Sequence, residues 1–224
     1  MKKHYFRSAV ATLLPLLLIA QPVEACTGFI IGKKLTADGS TLVGRTEDLE
    51  PNHNKNFVVR ERVYNKKGAI FEDAANGFQY PLPEISDKYT AVPDVTPDQG
   101  IFDEAGFNEY GVSISATVSA SANDKIQKVD PYVEDGLAES GLTSIVLPSV
   151  KTAREGVELI AKIVEEKGAA EGNIVTIADK EGVWYMEILS GHQYAAILFP
   201  EDRFAVFPNT FFLGHVDLSD TERT

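Results

Sequence analysis

Cys26 is the one cysteine in 224 residues, and the residues in front of it decide what it can do. Val23 and Ala25 are small residues three and one positions before it, the pattern after which a signal peptidase cuts. A cut there makes Cys26 the first residue of the mature chain and places its thiol beside its own α-amino group. That amine titrates at about 7.7–8.0, well below a lysine, so near neutral pH it can take the thiol proton directly or through one water. The thiolate can then attack a carbonyl, form a thioester and release an amine, and water hydrolyses the thioester. Two other readings of the residue stay open. One is lipid attachment, although Glu24 and Val23 stand where lipoprotein signals carry a small residue and a leucine. The other is a buried structural cysteine, since free cysteines often serve as small hydrophobes.

Histidine offers little competition. Behind the cut only His53, His192 and His215 remain, none within a recognisable local signature for a Cys–His pair. His192 follows Ser190-Gly191 and reads as a turn residue. His215 and Asp217 are two apart and could share one face of a strand, but a catalytic zinc site needs three protein ligands. A lone cysteine forms no disulfide within the chain and no multi-cysteine metal site. No metal and no other cofactor is expected.

The elements that must position Cys26 begin with the leader that hides it. Lys2, Lys3 and Arg7 precede an apolar run over 9–20, shorter than the roughly 20 residues of a spanning helix. Residues 1–25 therefore read as a signal peptide and 26–224 as the working domain, placed outside the cytoplasm, periplasmic or secreted, with no stable membrane span. An uncleaved anchor is the alternative. The chain is 44% hydrophobic and 24% charged, which excludes a disordered tail and a multispan membrane protein. Its net charge of -12 repels phosphate backbones, so no nucleic acid is expected as a partner; a homo-oligomer is left open.

Within the mature chain, 27–32 is a glycine-flanked apolar run that predicts a buried strand, and 33–39 is a polar connection ending in the turn pair Asp38-Gly39. The segment 40–44 reads as the returning strand, 57–63 as β-rich, 71–100 as an extended loop and 111–119 as a half-buried strand. Helices follow over about 137–147 and from the Thr152–Glu155 capping box to Gly168. Strands over 174–178, 183–189, 194–199 and 204–207 are joined by connections too short for anything but antiparallel neighbours. Strands, two helices, then strands predict an α+β domain of antiparallel sheets with helices on their outer faces. If 33–39 is the whole hairpin loop, Gly32 faces Ser40 and Cys26 faces Thr46. Arg45 and Asp48 then lie close to the thiol, where a guanidinium stabilises thiolate and a carboxylate can hold the protonated amine. An ordinary surface ion pair is the competing reading of those two residues.

The segments Cys26-Thr27-Gly28-Phe29-Ile30-Ile31-Gly32, Asp38-Gly39-Ser40 and Gly44-Arg45-Thr46-Glu47-Asp48 together resemble the opening of the cysteine dipeptidases. The likeness continues through Asn108-Glu109-Tyr110-Gly111-Val112, Lys151-Thr152-Ala153-Arg154-Glu155, Gly168-Ala169-Ala170-Glu171-Gly172-Asn173 and Val183-Trp184-Tyr185-Met186-Glu187. That family belongs to the N-terminal nucleophile hydrolases, alongside bile salt hydrolases and penicillin V acylase. The resemblance implies a four-layer αββα sandwich and hydrolysis of dipeptides with a free amino end. Because family members are much longer, it also implies that 26–224 is the N-terminal portion of such a domain, its sheet incomplete at the C-terminal end.

On this resemblance Cys26 is nucleophile and base, and Arg45 and Asp48 match the residues that position and activate it. Asn209 is similar to the asparagine that helps bind the oxyanion, a role worth about 3 kcal/mol where such donors have been removed. Bile salt hydrolases carry a further oxyanion asparagine where this chain has Val118, so Thr117 or a backbone N–H is the second, substrate-binding donor. The alternatives are an amidase of the same superfamily acting on bile salts, penicillin V or acyl-homoserine lactones, a lipid-anchored binding protein, or an inactive fragment.

Overall fold

The computed structural model describes residues 26–47, 55–94 and 102–224. The signal-peptide reading of 1–25 and the catalytic reading of Asp48 lie outside the described residues. In chain order the elements are β1 (Gly28–Ile31), β2 (Leu42–Arg45), β3 (Val58–Arg60), β4 (Val63–Tyr64), β5 (Ile70–Glu72), β6 (Gln79–Pro81), β7 (Ile85–Ser86), β8 (Tyr89–Pro93), β9 (Asp103–Asn108) and β10 (Ser113–Ala120). Helices α1 (Asp124–Gln127), α2 (Glu139–Val146) and α3 (Ala153–Lys167) follow, and then β11 (Gly172–Ala178), β12 (Val183–Ile188), β13 (Tyr194–Leu198) and β14 (Phe204–Phe207).

Two antiparallel sheets carry the architecture. Seven strands run in the order β13-β12-β11-β10-β9-β8-β3, and three in the order β14-β1-β2. The seven-stranded sheet is buried on both faces along β11 and β12, and these strands read as near-continuous apolar runs for that reason. One face, with Ile114, Val175, Ile177 and Met186, packs on Leu142, Ile145 and Val146 of α2 and on Val157, Ile160 and Val164 of α3. The other face offers Ile174, Val183 and Tyr185 to Ile30, Ala205 and Phe207 of the smaller sheet. There Tyr185 and Phe207 meet edge to face with ring centroids 5.1 Å apart.

This is the α+β layering the sequence predicts, with three layers in place: small sheet, large sheet, helices. The outer face of the small sheet leaves Phe29, Leu42, Phe204 and Val206 exposed. Helix α3 starts as read, with the Thr152 hydroxyl accepting from the Glu155 amide at 3.2 Å, while the Glu155 carboxylate reaches back to the Lys151 amide at 2.7 Å. It stops at Gly168, whose φ of 81° is a left-handed value that glycine adopts without strain.

Three expectations are overturned. The segment 71–100 is no extended loop over its described part: Phe71 and Tyr80 pair across a β5–β6 hairpin, and β8 is an internal strand between β3 and β9. Its prolines mislead because Pro81 and Pro93 end strands, and Pro93 sits where the ladder shifts register. The second correction concerns the first hairpin. Gly32 donates its amide to Arg203 O rather than pairing with Ser40, and a short 3-10 turn over Lys33–Leu35 lengthens the loop. Ile31 therefore faces Leu42 and Gly28 faces Arg45, one residue off the predicted register. A slip of one exchanges the side chains on each face. The third correction is His215 with Asp217: no strand forms there, and Asp217 instead accepts from the Ser219 amide and hydroxyl.

Candidate active site

Cys26 is half-buried at the head of β1, the central strand of the small sheet. The ladder to β2 continues one pair beyond the strand, with the Thr46 amide donating to Thr27 O at 2.9 Å and the Thr27 amide donating to the Thr46 hydroxyl at 3.0 Å. Carried one step further, the register sets Cys26 opposite Glu47. On its other side β1 pairs with β14 as far as Gly28 and Phe207, and Asn209 follows two residues later in a bend beyond Pro208. Alternation then gives Cys26, Arg45 and Glu47 the inward direction shared by Ile30 and Phe207. Thr117 looks toward the same space from the large sheet: it is buried on β10 opposite Ile174, which packs between the sheets.

Arg45 crosses from one sheet to the other. Its Nη1 donates to the carbonyl of Ala116, next to Thr117, and to Glu139 Oε1 at 3.2 Å, while Nη2 reaches Glu104 Oε2 at 3.4 Å. The ion pair with Asp48 weighed from the sequence lies outside the described residues; the Arg45 side chain itself is only 12% exposed. Beside it, Lys55 Nζ lies 2.8 Å from Glu47 Oε1, 2.9 Å from Glu104 Oε1 and 3.3 Å from Asp94 Oδ1. Three converging carboxylates have the look of a cation site, and the Lys55 ammonium supplies the cation.

The carboxyls of this network are not equivalent. Burial first, and the neighbouring Glu47 carboxyl second, push Glu104 up to about 8 against the pull of Lys55. Burial alone would raise Glu47 as well, but hydrogen bonds from Glu104 and Lys55 and the charges of Lys55 and Arg45 hold it below the usual carboxylate range. Burial likewise works against the Lys55 charge, and its bonds to Glu47 and Glu104 outweigh it, so Lys55 stays protonated. Near neutrality the pair shares one proton, carried by Glu104.

A stability prediction follows from that proton. Glu104 ionises at about 4.5 in the unfolded chain and at about 8 in the folded one, so between those values only the folded state binds the proton. Its stabilising effect is whole below the lower value and is lost as pH rises through the upper one. Glu47 acts oppositely, and only as pH falls through its lowered value. The thermal midpoint should therefore decline from about pH 5 to about pH 8, and Glu104→Gln should flatten that decline. Thermal melts of both proteins across the window check it; equal slopes would refute the shared proton.

Of the residues singled out from sequence, Arg45 reaches the carbonyl next to Thr117, Cys26 heads the strand paired with that of Arg45, and Asn209 lies just past the end of β14 on the other side of β1. Reading by spacing missed Lys55, Asp94, Glu104 and Glu139, and quoted Glu47 without giving it a role. Glu47 was findable, because it stands two residues from Arg45 and so shares its face. The others reach the site from separate strands and a helix and leave no local pattern. His192 is more than a turn residue: its ring Nδ1 lies 2.8 Å from Asp130 Oδ1, and Asp130 also takes the Ser190 hydroxyl at 2.6 Å.

Fold and site first define a class: a layered antiparallel α+β domain whose sole cysteine heads a central strand, with an arginine–carboxylate–lysine network beside it. The chain belongs to peptidase family C69, whose model matches residues 25–224. It is 74% identical over 200 residues to a protein named probable dipeptidase B from Streptococcus pyogenes serotype M1, covering 89% of this chain and 40% of that one. It is 39% identical to a probable dipeptidase of Latilactobacillus sakei (89% of this chain, 42% of that one) and 37% identical to one of Salmonella dublin (88% and 46%). The chain thus spans less than half the length of these relatives. Among solved structures, penicillin V acylase from Agrobacterium tumefaciens aligns with a TM-score of 0.45 at 17% identity, over 82% of this chain and 49% of that one.

Proposed function

We propose that the chain is the nucleophile-bearing part of an exported dipeptidase that acts through Cys26 after its leader is removed. The observation that carries this reading is the double register of β1. It carries Cys26 alongside Glu47, with Arg45 on the same face two residues along, and brings the end of β14, two residues before Asn209, alongside Gly28. The family match beginning at residue 25 and the relatives' dipeptidase names support it.

The chemistry uses groups already in place. The freed α-amine of Cys26 takes the thiol proton, and the sulfur attacks the peptide carbonyl carbon to form a C–S bond. The resulting oxyanion is met by the Asn209 amide, with Thr117 or a backbone N–H as second donor. When the C–N bond breaks, the departing amino acid leaves with the proton held on the α-amine. Water, deprotonated by the same amine, then hydrolyses the thioester and restores the thiol. With Glu104 carrying a proton, Glu47, Asp94 and Glu139 still outnumber Arg45 and Lys55 by one charge. That surplus suits a substrate presenting an ammonium group and disfavours anionic acyl chains.

Intact-mass measurement of exported protein should give a chain beginning at Cys26. That material should cleave free dipeptides and leave their N-acetylated forms and acyl amides largely untouched. A mature chain still carrying Ala25, or equal cleavage of free and acetylated dipeptides, would overturn the assignment.

A further inference from the structure

Beyond Phe207 the chain has no further strand or helix, yet the position of Asn209 relative to Cys26 must hold to a fraction of an ångström if its amide is to meet an oxyanion. Pairing of β14 with β1 fixes one side of it and ends at Phe207. The other side is fixed from the large sheet. Glu187 on β12, 1% exposed, uses a single carboxylate oxygen, Oε1, to accept the Phe212 amide, the Leu213 amide at 3.0 Å and the Tyr185 phenol at 2.9 Å. Tyr185 in turn packs edge-on against Phe207, two residues before Asn209. The segment carrying Asn209 is thus clamped on both sides, by Phe207 against Tyr185 and by Phe212 and Leu213 against Glu187.

A carboxylate in that place is costly. The inter-sheet face around it is built from Ile174, Val183, Tyr185 and Phe207, and Glu187 Oε2 is buried with no hydrogen-bond partner among the described residues. An apolar side chain would avoid that desolvation cost. What only an acceptor supplies is the capture of two consecutive backbone N–H groups in a stretch that has no ladder to satisfy them.

We propose that Glu187 is a positioning residue for the reaction: by holding Phe212 and Leu213 it sets Asn209 at the distance and angle the oxyanion requires. This deepens the dipeptidase reading and rests on it for its kinetic consequence. The hydrogen bonds of Glu187 go to Tyr185, Phe212 and Leu213, so on this proposal its removal should act through Asn209.

The test is a double-mutant cycle in the processed chain. Glu187→Met keeps the volume and removes the acceptors. It should lower kcat on dipeptides about 10- to 100-fold with KM nearly unchanged, the signature of an interaction made only in the transition state. Alkylation of Cys26 by iodoacetamide, which uses no oxyanion donor, should proceed at the wild-type rate. In an Asn209→Ala background the same change should cost less than about 2-fold, because the group it positions is gone. Glu187→Gln, which keeps one acceptor oxygen, should restore most of the loss. Losses that multiply, or a Gln variant as poor as Met, would overturn the proposal.

Amide hydrogen exchange separates this from the functional reading. Phe212 and Leu213 should exchange faster in Glu187→Met than in the wild type, whether or not any dipeptide is turned over, and unchanged exchange would refute the anchoring. If wild-type protein cleaves no dipeptide, the dipeptidase reading fails, and the cycle is read on acylation of Cys26 by a nitrophenyl ester. If the Met variant does not fold, Glu187→Asp, which pulls the oxygens back by one methylene, takes its place in every arm.

Discussion

On the proposed dipeptidase reading, serine in place of Cys26 should lower dipeptide turnover by the processed chain at least about 1,000-fold, the scale on which removal of a nucleophile acts. The change swaps one atom at a half-buried position, so the fold should be spared and circular dichroism and melting should match the wild type. The loss comes from acidity. An α-amine titrating at about 8 is well matched to a thiol at about 8.5 and poorly matched to a hydroxyl, so the serine proton stays where it is. A slowly hydrolysed substrate should leave the wild type heavier by one acyl group and the serine variant at its native mass. The unprocessed precursor should be as inactive as the variant, because a peptide nitrogen at residue 26 cannot act as a base. If Cys26→Ser keeps more than a tenth of the activity, or if the precursor is active, the amine–thiol unit is not the catalyst.

What the sequence made legible and what it hid divide along one physical line. Helix α3 could be read because its cap, apolar spacing and terminal glycine are all local. Strands β11 and β12 could be read because two-faced burial makes them apolar, and β13 and β14 because they too are apolar and follow short turns. The register of the first hairpin could not, because it depends on whether the chain turns tightly after Gly32 or spends residues on a 3-10 turn, and Gly32 is held by Arg203 from β14. That single residue decides whether Thr46 or Glu47 stands beside Cys26. The Lys55–Asp94–Glu104–Glu139 network was hidden for a related reason: its members come from the flanks of β3 and β8, from β9 and from α2, and meet only once the large sheet has formed and α2 has packed on it. Arg45 came from the hairpin spacing and Asn209 from the resemblance, and the inward direction of Arg45 came only with the strand pairing.

Arg45 is where scaffold and chemistry can be separated. Arg45→Ala should cost about 3–5 kcal/mol of stability, the scale for removing one partner of a buried ion pair, because Glu139 loses the guanidinium that answers its charge and the Ala116 carbonyl loses a donor. Urea denaturation measures that cost. Turnover should fall at least about 100-fold in the same variant, since the thiolate also loses its nearby guanidinium. Adding Glu139→Gln to Arg45→Ala removes a charge that the guanidinium had balanced and should recover part of the stability. Activity should not return with it, because a neutral amide beside the site does nothing for a thiolate. Lysine is no substitute either: one ammonium cannot serve the Ala116 carbonyl, Glu139 and Glu104 from the directions a guanidinium fork covers, so Arg45→Lys should fold and remain slow. Were turnover to rise in step with stability in the double variant, Arg45 would be a strut between the two sheets, and the electrostatic support of Cys26 would have to come from Lys55, the other cation in the network.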